Sequence, residues 1–243
     1  MEGYTDIHCH IIPCVDDGAK NLEYAVRMLR IAYWEGFRNI ILTPHYHGGR
    51  MEADIDKINH FLQIFKEEVE KFDYLPTMNL YTGCEIFYFP TVCEWLDQKK
   101  LLTLAGSDYV LLEFGYTCDF RTIKDAITNV RSNGYFPIIA HAERYSCLVS
   151  SKRDMGELIS RGAYIQVNAR AFAGDFKTKS FVKSLLKNEQ LHFIATDSHD
   201  PVNRSPSIKS AVEYVKKHYD EDYLNHLLID NPSCILENKY IPS

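Results

Sequence analysis

The sequence lacks both a long apolar run that would cross a membrane and the pattern that opens a secretory signal peptide. It also lacks a basic excess, since 27 Lys and Arg stand against 33 Asp and Glu, for a formal net charge of −6. That balance excludes a nucleic-acid binder that works through a broad basic face. We therefore expect a chain that enters no membrane, binds no nucleic acid and works in the cytoplasm.

The cysteine pattern does not suit a disulfide framework or a zinc finger. The seven cysteines are odd in number and irregularly spaced, and no Cys-x-x-Cys pair offers a zinc site. No linker rich in glycine, proline or serine divides the 243 residues, of which 46% are hydrophobic. We expect reduced thiols and a single domain over residues 1–243.

Short β-rich runs alternate with longer helical patterns along the chain. The predicted strands cover residues 4–9, 38–43, 79–85, 109–114, 136–141, 163–168 and 192–197. Between them lie apolar stripes at helical spacing, as at Leu22, Val26 and Leu29. The alternation predicts a parallel α/β sheet that closes, or nearly closes, into a barrel with outer helices.

Polar side chains that can bind metals follow the predicted strands. His8 and His10 lie two residues apart at the end of the first strand, so they share one face. The other strand ends carry His45, Glu85, Glu113, His141, Asn168 and Asp197, with His199 two residues further on. Because the carboxyl ends of parallel strands meet at one edge, we expect these side chains to converge.

With an acidic residue from the Asp16–Asp17 pair, the group contains five histidines and four carboxylates. The nine candidates are His8, His10, His45, His141, His199, Asp17, Glu85, Glu113 and Asp197. They exceed the needs of one ion and suit two or three ions that share bridging carboxylates. Nitrogen and oxygen ligands without thiolate fit Mn²⁺, Fe²⁺ or Zn²⁺, and ligand type does not choose among these. Paired metals of this kind recur in phosphatases and nucleases.

Six stretches of the sequence resemble one known family. They are DIHCHIIPCVDDG, ILTPHYHGG, GCEIFY, AHAERY, ATDSHD and the closing DNP. Together they resemble the PHP (polymerase and histidinol phosphatase) superfamily, and within it the bacterial manganese-dependent protein-tyrosine phosphatases of capsule and exopolysaccharide loci. The resemblance covers essentially the whole chain, and it implies a distorted (β/α)₇ barrel that holds three metal ions, Mn²⁺ foremost.

The resemblance also implies how the candidate residues divide among the ions. The first ion would lie among His8, His10, Glu85 and Asp197, the second among Glu85, Glu113 and His141, and the third among Asp17, His45 and His199. The family pattern uses the acid beside the glycine, which makes Asp16 the less favoured member of its pair. Two phosphate-binding arginines of the family correspond to Arg144 and Arg204.

The activity implied by the resemblance is hydrolysis of phosphotyrosine, with a hydroxide that bridges the metals as the nucleophile. The implied substrate is the phosphotyrosyl tail of a bacterial tyrosine autokinase that regulates polysaccharide synthesis. Two alternatives stay open, namely a small-molecule phosphomonoesterase such as histidinol-phosphate phosphatase and a PHP scaffold that has lost catalysis. The sequence leaves open whether the chain forms homo-oligomers, and what His47 and the aromatic run at 87–89 do.

A rival motif places Cys147 and Arg153 at the spacing of the Cys-x₅-Arg loop of cysteine-dependent tyrosine phosphatases. That loop relies on glycines, whose backbone amides cradle phosphate beside a thiolate. The intervening LVSSK contains no glycine, and Asp154 follows the arginine. We therefore expect Cys147 to take no part in catalysis.

Overall fold

The computed structural model describes residues 3–48, 51–52, 54–150 and 155–241. The strands are β1 (Tyr4–Cys9), β2 (Phe37–Leu42), β3 (His45–His47), β4 (Met51–Glu52), β5 (Asn79–Thr82), β6 (Glu85–Phe87), β7 (Tyr109–Glu113), β8 (Phe136–Ile139), β9 (Tyr164–Asn168) and β10 (Phe193–Ala195). The α-helices are α1 (Leu22–Trp34), α2 (Ile55–Val69), α3 (Val92–Asp97), α4 (Phe120–Ser132), α5 (Ser146–Ser150), α6 (Met155–Ser160), α7 (Phe176–Lys187), α8 (Lys209–His218), α9 (Glu221–Asn225) and α10 (Asn231–Leu236). Short 3₁₀ turns lie at Leu75–Thr77, Leu104–Gly106, Ala142–Arg144 and Ala169–Ala173, and a π-helical turn at His226–Asp230 joins α9 to α10.

The strands run parallel in two sheets that meet end to end. One sheet has the order β1-β2-β5, and the other has the order β10-β9-β8-β7-β6-β3, with β4 antiparallel on the outer edge of β3. Because β2 leads directly into β3 and β5 into β6, the second sheet continues the first at its carboxyl end.

The two ends of this arrangement meet where β1 approaches the chain after β10. The Asp197 N–H donates to the His8 carbonyl over 2.8 Å, and the His10 N–H donates to the Ser198 carbonyl over 2.8 Å. The strand positions therefore follow one another in chain order around a distorted (β/α)₇ barrel, as predicted. The helices surround it, and no helix within the described ranges is long and apolar enough to cross a membrane.

The ends of two predicted strands differ in the structure. The strand predicted at 38–43 ends at Leu42, and Pro44, which has no N–H to donate, separates it from β3. The strand predicted at 79–85 breaks at Gly83, where a Cβ would lie 2.9 Å from a Leu104 methyl group. His45 and Glu85 therefore begin new strands instead of ending old ones.

The barrel interior is apolar below and polar at its carboxyl end. Along β7, Tyr109 and Leu111 belong to the cluster shared by the strands, whereas Val110 and Leu112 belong to the larger core under the helices. Because side chains alternate along a strand, Glu113 continues the inward face of Leu111. The Glu113 carboxylate therefore lies next to the apolar side chains that fill the barrel interior.

The predicted helical stripes are confirmed. In α1, Val26 and Leu29 are buried, and the Asn21 side chain caps the helix by accepting from the Tyr24 N–H. Gly36, which follows α1, has the left-handed φ of +101° expected of a glycine at a helix end. All seven cysteines lie in the described ranges, and all are free thiols, as expected.

Candidate metal centre

The structure brings all nine predicted metal ligands together at the carboxyl end of the barrel. Eight of them are buried, namely His8, His10, His45, Glu85, Glu113, His141, Asp197 and His199. The Asp17 side chain is 55% exposed and closes the group from the solvent side. Convergence of this kind is what the positions of these residues after the strands predicted.

Four clusters have donor atoms within 4.8 Å of one another, and three of them consist of predicted ligands only. They are His8 with His10 and Glu85, Glu85 with Glu113 and His141, and His10 with Asp17, His45 and His199. Asp197 Oδ1 lies 3.7 Å from Nε2 of both His8 and His10, next to the first cluster. These clusters differ from the three ligand sets that the resemblance implies in two respects, because Asp197 is not part of the first cluster and His10 also belongs to the third.

Glu85 is the centre of the group. Its Oε2 atom lies 3.2 Å from His8 Nε2, 3.3 Å from His10 Nε2 and 2.9 Å from His45 Nδ1, while its Oε1 lies 2.7 Å from His141 Nε2. Burial acts to raise the pKa of Glu85, but the facing imidazoles, His8 foremost, outweigh it and hold that pKa well below its ordinary value. The carboxylate is therefore ionised and points each oxygen at a different set of donors, as a bridging ligand does.

In four of the five buried histidines of the site, Nδ1 is held by another group of the protein, whereas both ring nitrogens of His45 face candidate ligands. Nδ1 of His8 faces Gln166 Oε1 (3.2 Å), Nδ1 of His10 faces Asp16 Oδ2 (2.7 Å), Nδ1 of His199 faces the Asp197 carbonyl (3.1 Å), and Nδ1 of His141 faces the Tyr145 hydroxyl (3.3 Å). Such partners fix the tautomer of a metal-binding imidazole. The Nε2 lone pairs are left to face the centre of the site.

Some buried polar atoms of the site lie close to other polar atoms but form no hydrogen bond of good geometry within the described part of the chain. They include His45 Nδ1, Glu85 Oε2 and His199 Nε2. Burying a polar atom without a partner costs free energy, and a divalent cation among these nitrogen and oxygen donors would remove that cost. The residues present therefore fit a metal centre.

Asp16 and Asp17 differ in their contacts. The Asp16 carboxylate is turned inward, where it accepts from the N–H groups of Gly18 (2.9 Å) and His45 (3.0 Å) as well as from His10. Asp17 Oδ1 instead lies 3.5 Å from His45 Nε2 and 3.4 Å from His199 Nε2. A Cβ on Gly18 would lie 2.1 Å from the His10 carbonyl oxygen, so only glycine allows this loop to fold so closely onto the site. The geometry favours Asp17 as the ligand, as the resemblance implied.

Two of the predicted ligands have a left-handed backbone. The φ angles of His141 and Asp197 are +32° and +49°, which are uncommon for residues other than glycine. Strained backbone of this kind persists where the surrounding structure fixes it, and it clusters at functional sites. Each ligand directs its side chain into the site just where its strand ends.

Three arginines contact the carboxylate of Asp197. Arg144 and Arg204, the two predicted phosphate-binding residues, meet Oδ2 and Oδ1 respectively, the latter over 2.6 Å. Arg170 was not predicted, yet its guanidinium donates to Oδ2 over 2.7 Å. Its position two residues after the end of β9 is the sequence signal that could have revealed it.

The residues left open by the sequence lie at the rim. His47 Nε2 is 2.8 Å from Glu113 Oε2, and its ring centre is 4.9 Å from that of Phe87. His47 therefore borders the second cluster and, with His45 and Glu113, forms a further group of donors.

Burial raises the pKa of the Cys147 thiol, which opposes the thiolate that a nucleophile needs. Arg153 and Asp154 lie outside the described residues.

Comparison with known proteins identifies the family. The profile of the family described as "Capsular polysaccharide synthesis, CpsB/CapC" matches residues 4–237. The chain belongs to the CpsB/CapC family. It is 34% identical over 244 residues to the tyrosine-protein phosphatase CpsB of Streptococcus agalactiae, covering 97% of this chain and 99% of that one. It is 29% identical over 238 residues to the tyrosine-protein phosphatase YwqE of Bacillus subtilis, covering 97% and 92% respectively.

Solved structures agree with the CpsB/CapC assignment and with the barrel. One, from work on YwqE of Bacillus subtilis and CpsB of Streptococcus pneumoniae, described as metal-dependent tyrosine phosphatases, matches with a TM-score of 0.89 at 28% identity. The match covers 98% of this chain and 96% of that one. A phosphotriesterase homology protein of Escherichia coli matches with a TM-score of 0.65 at 13% identity, over 97% and 99% of the two chains, and shows the shared fold alone.

Proposed function

We propose that this chain is a metal-dependent protein-tyrosine phosphatase. The observation that carries the proposal is the convergence of nine ligand-type side chains and three arginines at one end of the barrel. The phosphatases named CpsB and YwqE, which are related over nearly the whole chain, support the same reaction. A buried centre rich in metal-binding donors, beside cations that suit phosphate, fits metal-assisted hydrolysis of a phosphomonoester.

The proposed cofactor is a set of three divalent ions, with Mn²⁺ foremost and Fe²⁺ or Zn²⁺ as alternatives. His8, His10, Glu85 and Asp197 would hold the first, Glu85, Glu113 and His141 the second, and Asp17, His45 and His199 the third. When bound, such ions supply Lewis acidity and lower the pKa of coordinated water.

Arg144 and Arg204 are the proposed phosphate-binding residues of the reaction. A guanidinium stays charged and presents paired N–H donors that match phosphate oxygens. Both lie against Asp197, so a phosphate beside the metal ligands is within their reach. Loss of one such charged contact in the transition state costs about 3 kcal/mol, or roughly a hundredfold in rate.

The leaving group needs little help from the protein. The phenol of tyrosine has a pKa of about 10, well below that of an alkyl alcohol, so it departs as the phenolate. We assign no general acid. The buried ligands keep bulk water from the reacting atoms, and the exposed side of the centre, near Asp17, leaves an approach for a substrate side chain.

The proposed biological substrate is the phosphotyrosyl tail of a bacterial tyrosine autokinase that regulates capsular or extracellular polysaccharide synthesis. The family description, which refers to capsular polysaccharide synthesis, supports this assignment. We propose that the chain meets this kinase tail in the cytoplasm. We also propose that residues 1–243 form a single catalytic domain.

A comparison of two substrates tests the proposal. We expect Mn²⁺-loaded protein to hydrolyse a phosphotyrosyl peptide with a kcat/KM about a hundredfold above that for histidinol phosphate. A preference for histidinol phosphate would overturn the substrate class in favour of the small-molecule phosphatase. Failure to hydrolyse either phosphate with metal bound would favour a scaffold instead of an enzyme.

A further inference from the structure

Asp197 binds more positive charge than one carboxylate can balance. The guanidiniums of Arg144 and Arg170 both meet its Oδ2 atom, which also accepts from Asn168 Nδ2 over 2.8 Å, and Arg204 meets Oδ1. Arginine side chains remain charged in proteins, so three like charges are gathered around a single anion. Each guanidinium has five N–H donors, so the three arginines keep donors for a second anion beside Asp197.

A groove leads outward from two of these arginines. It is a shallow, open depression of about 500 Å³, and the residues that line it include Tyr116, Glu143, Arg144, Arg170 and Thr178. Glu143 accepts from the backbone N–H of Asn168 over 3.3 Å, and among the described residues the only ion pairs of Arg144 and Arg170 are with Asp197. The inner end of the groove is therefore suited to an anion.

The two residues that flank the groove are accessible. The Arg170 side chain is 41% exposed, compared with 23% for Arg144, so it reaches further toward solvent from the same carboxylate oxygen. Tyr116 is 55% exposed. Its backbone carbonyl accepts a hydrogen bond from the Ser146 N–H over 3.4 Å. An aromatic face thus stands beside the cationic end of the groove.

We propose that Arg170 is a third substrate-binding residue, which contacts the phosphate beside Arg144 and Arg204, and that Tyr116 packs against the aromatic ring of the substrate. The assignment of that ring to phosphotyrosine rests on the proposed function. The binding of phosphate by Arg170 does not depend on it. A phosphate monoester has three terminal oxygens, enough for each guanidinium to contact one. Packing between two aromatic rings contributes enough binding free energy to distinguish a ligand with a ring from one with a methyl group.

Binding of inorganic phosphate to the Mn²⁺-loaded protein, measured by calorimetry, tests the role of Arg170. We expect Arg170→Ala to weaken phosphate binding about tenfold or more, and Arg170→Lys to recover part of the loss. Arg121→Ala should bind phosphate like the parent, since Arg121 is exposed on α4 and pairs only with Asp125 among the described residues. Manganese content is measured on each variant. If Arg170→Ala loses metal, while its remaining loaded fraction binds phosphate as tightly as the parent, Arg170 only positions Asp197 and the proposal is overturned.

Two phosphonates, which the enzyme cannot hydrolyse, test the role of Tyr116. We expect Tyr116→Ala to weaken binding of benzylphosphonate several-fold and to leave methylphosphonate unchanged, because only the first carries a ring. Equal effects on the two ligands would overturn the assignment of Tyr116. These measurements need no turnover, so an outcome in which phosphotyrosyl peptide is not hydrolysed would defeat the proposed function and leave the binding result standing.

Discussion

Asp16 accepts a hydrogen bond from the Nδ1–H of His10 over 2.7 Å, although neither the sequence nor its resemblance gave Asp16 a role at the metals. An ionised carboxylate can only accept, so the proton must be on Nδ1 of the imidazole. Nε2, which lies 3.3 Å from Glu85 Oε2, is then the nitrogen left to bind a cation together with that carboxylate. Asp16 thus determines which His10 nitrogen is available to a cation.

Replacement of Asp16 by asparagine should weaken metal binding by about tenfold to a hundredfold, because the amide no longer fixes the ring as an anion does. The measurement is a Mn²⁺ titration of protein freed of metal by chelation. Asp125→Asn, on the exposed face of α4, is the matched control. Parent-like affinity in the Asp16 variant would refute the orienting role.

Replacement of Glu85 by glutamine should remove the anion that faces His8, His10, His45 and His141. We expect fewer bound ions and a loss of turnover of at least about a thousandfold, since both clusters that share Glu85 lose a ligand. Circular dichroism and manganese analysis accompany the assay, so that a folded variant poor in metal can be told from an unfolded one. A folded variant with near-parental activity would mean that the metal assignment is wrong.

Replacement of Cys147 by serine should leave turnover within a few-fold of the parent. Burial raises the pKa of this thiol, so little thiolate is available for attack on phosphorus. Rates on a phosphotyrosyl peptide are compared at equal manganese content. A collapse of activity in this variant would favour the cysteine mechanism that we set aside.

The barrel and the convergence of the nine candidate ligands could be predicted because both depend on local patterns. Strand–helix alternation fixes which ends of the strands meet, and residues such as His141 and Asp197 directly follow the strands. The break before Glu85 was missed, because a β-rich run does not reveal that Gly83 lies against Leu104.

The hydrogen bonds that orient the ligands were beyond the reach of the sequence. Gln166 lies 158 residues from His8 in the sequence, and its side-chain oxygen Oε1 also accepts from the His141 N–H over 2.6 Å. Gln166 can therefore orient His8 only after the barrel has closed. Arg170 was missed for a different reason. It follows a strand whose end, Asn168, is not one of the nine ligands, and an arginine in such a loop is ordinarily a solvated surface residue.

Activity of the parent protein on a phosphotyrosyl peptide before chelation, after chelation and after return of Mn²⁺ tests the central claim most directly. We expect chelation to abolish turnover and to lower the melting temperature, since a ligand at a hundred times its Kd stabilises the folded state by about 2.7 kcal/mol per site. Added Mn²⁺ should restore both. Full activity in protein shown by elemental analysis to hold no metal would contradict the account.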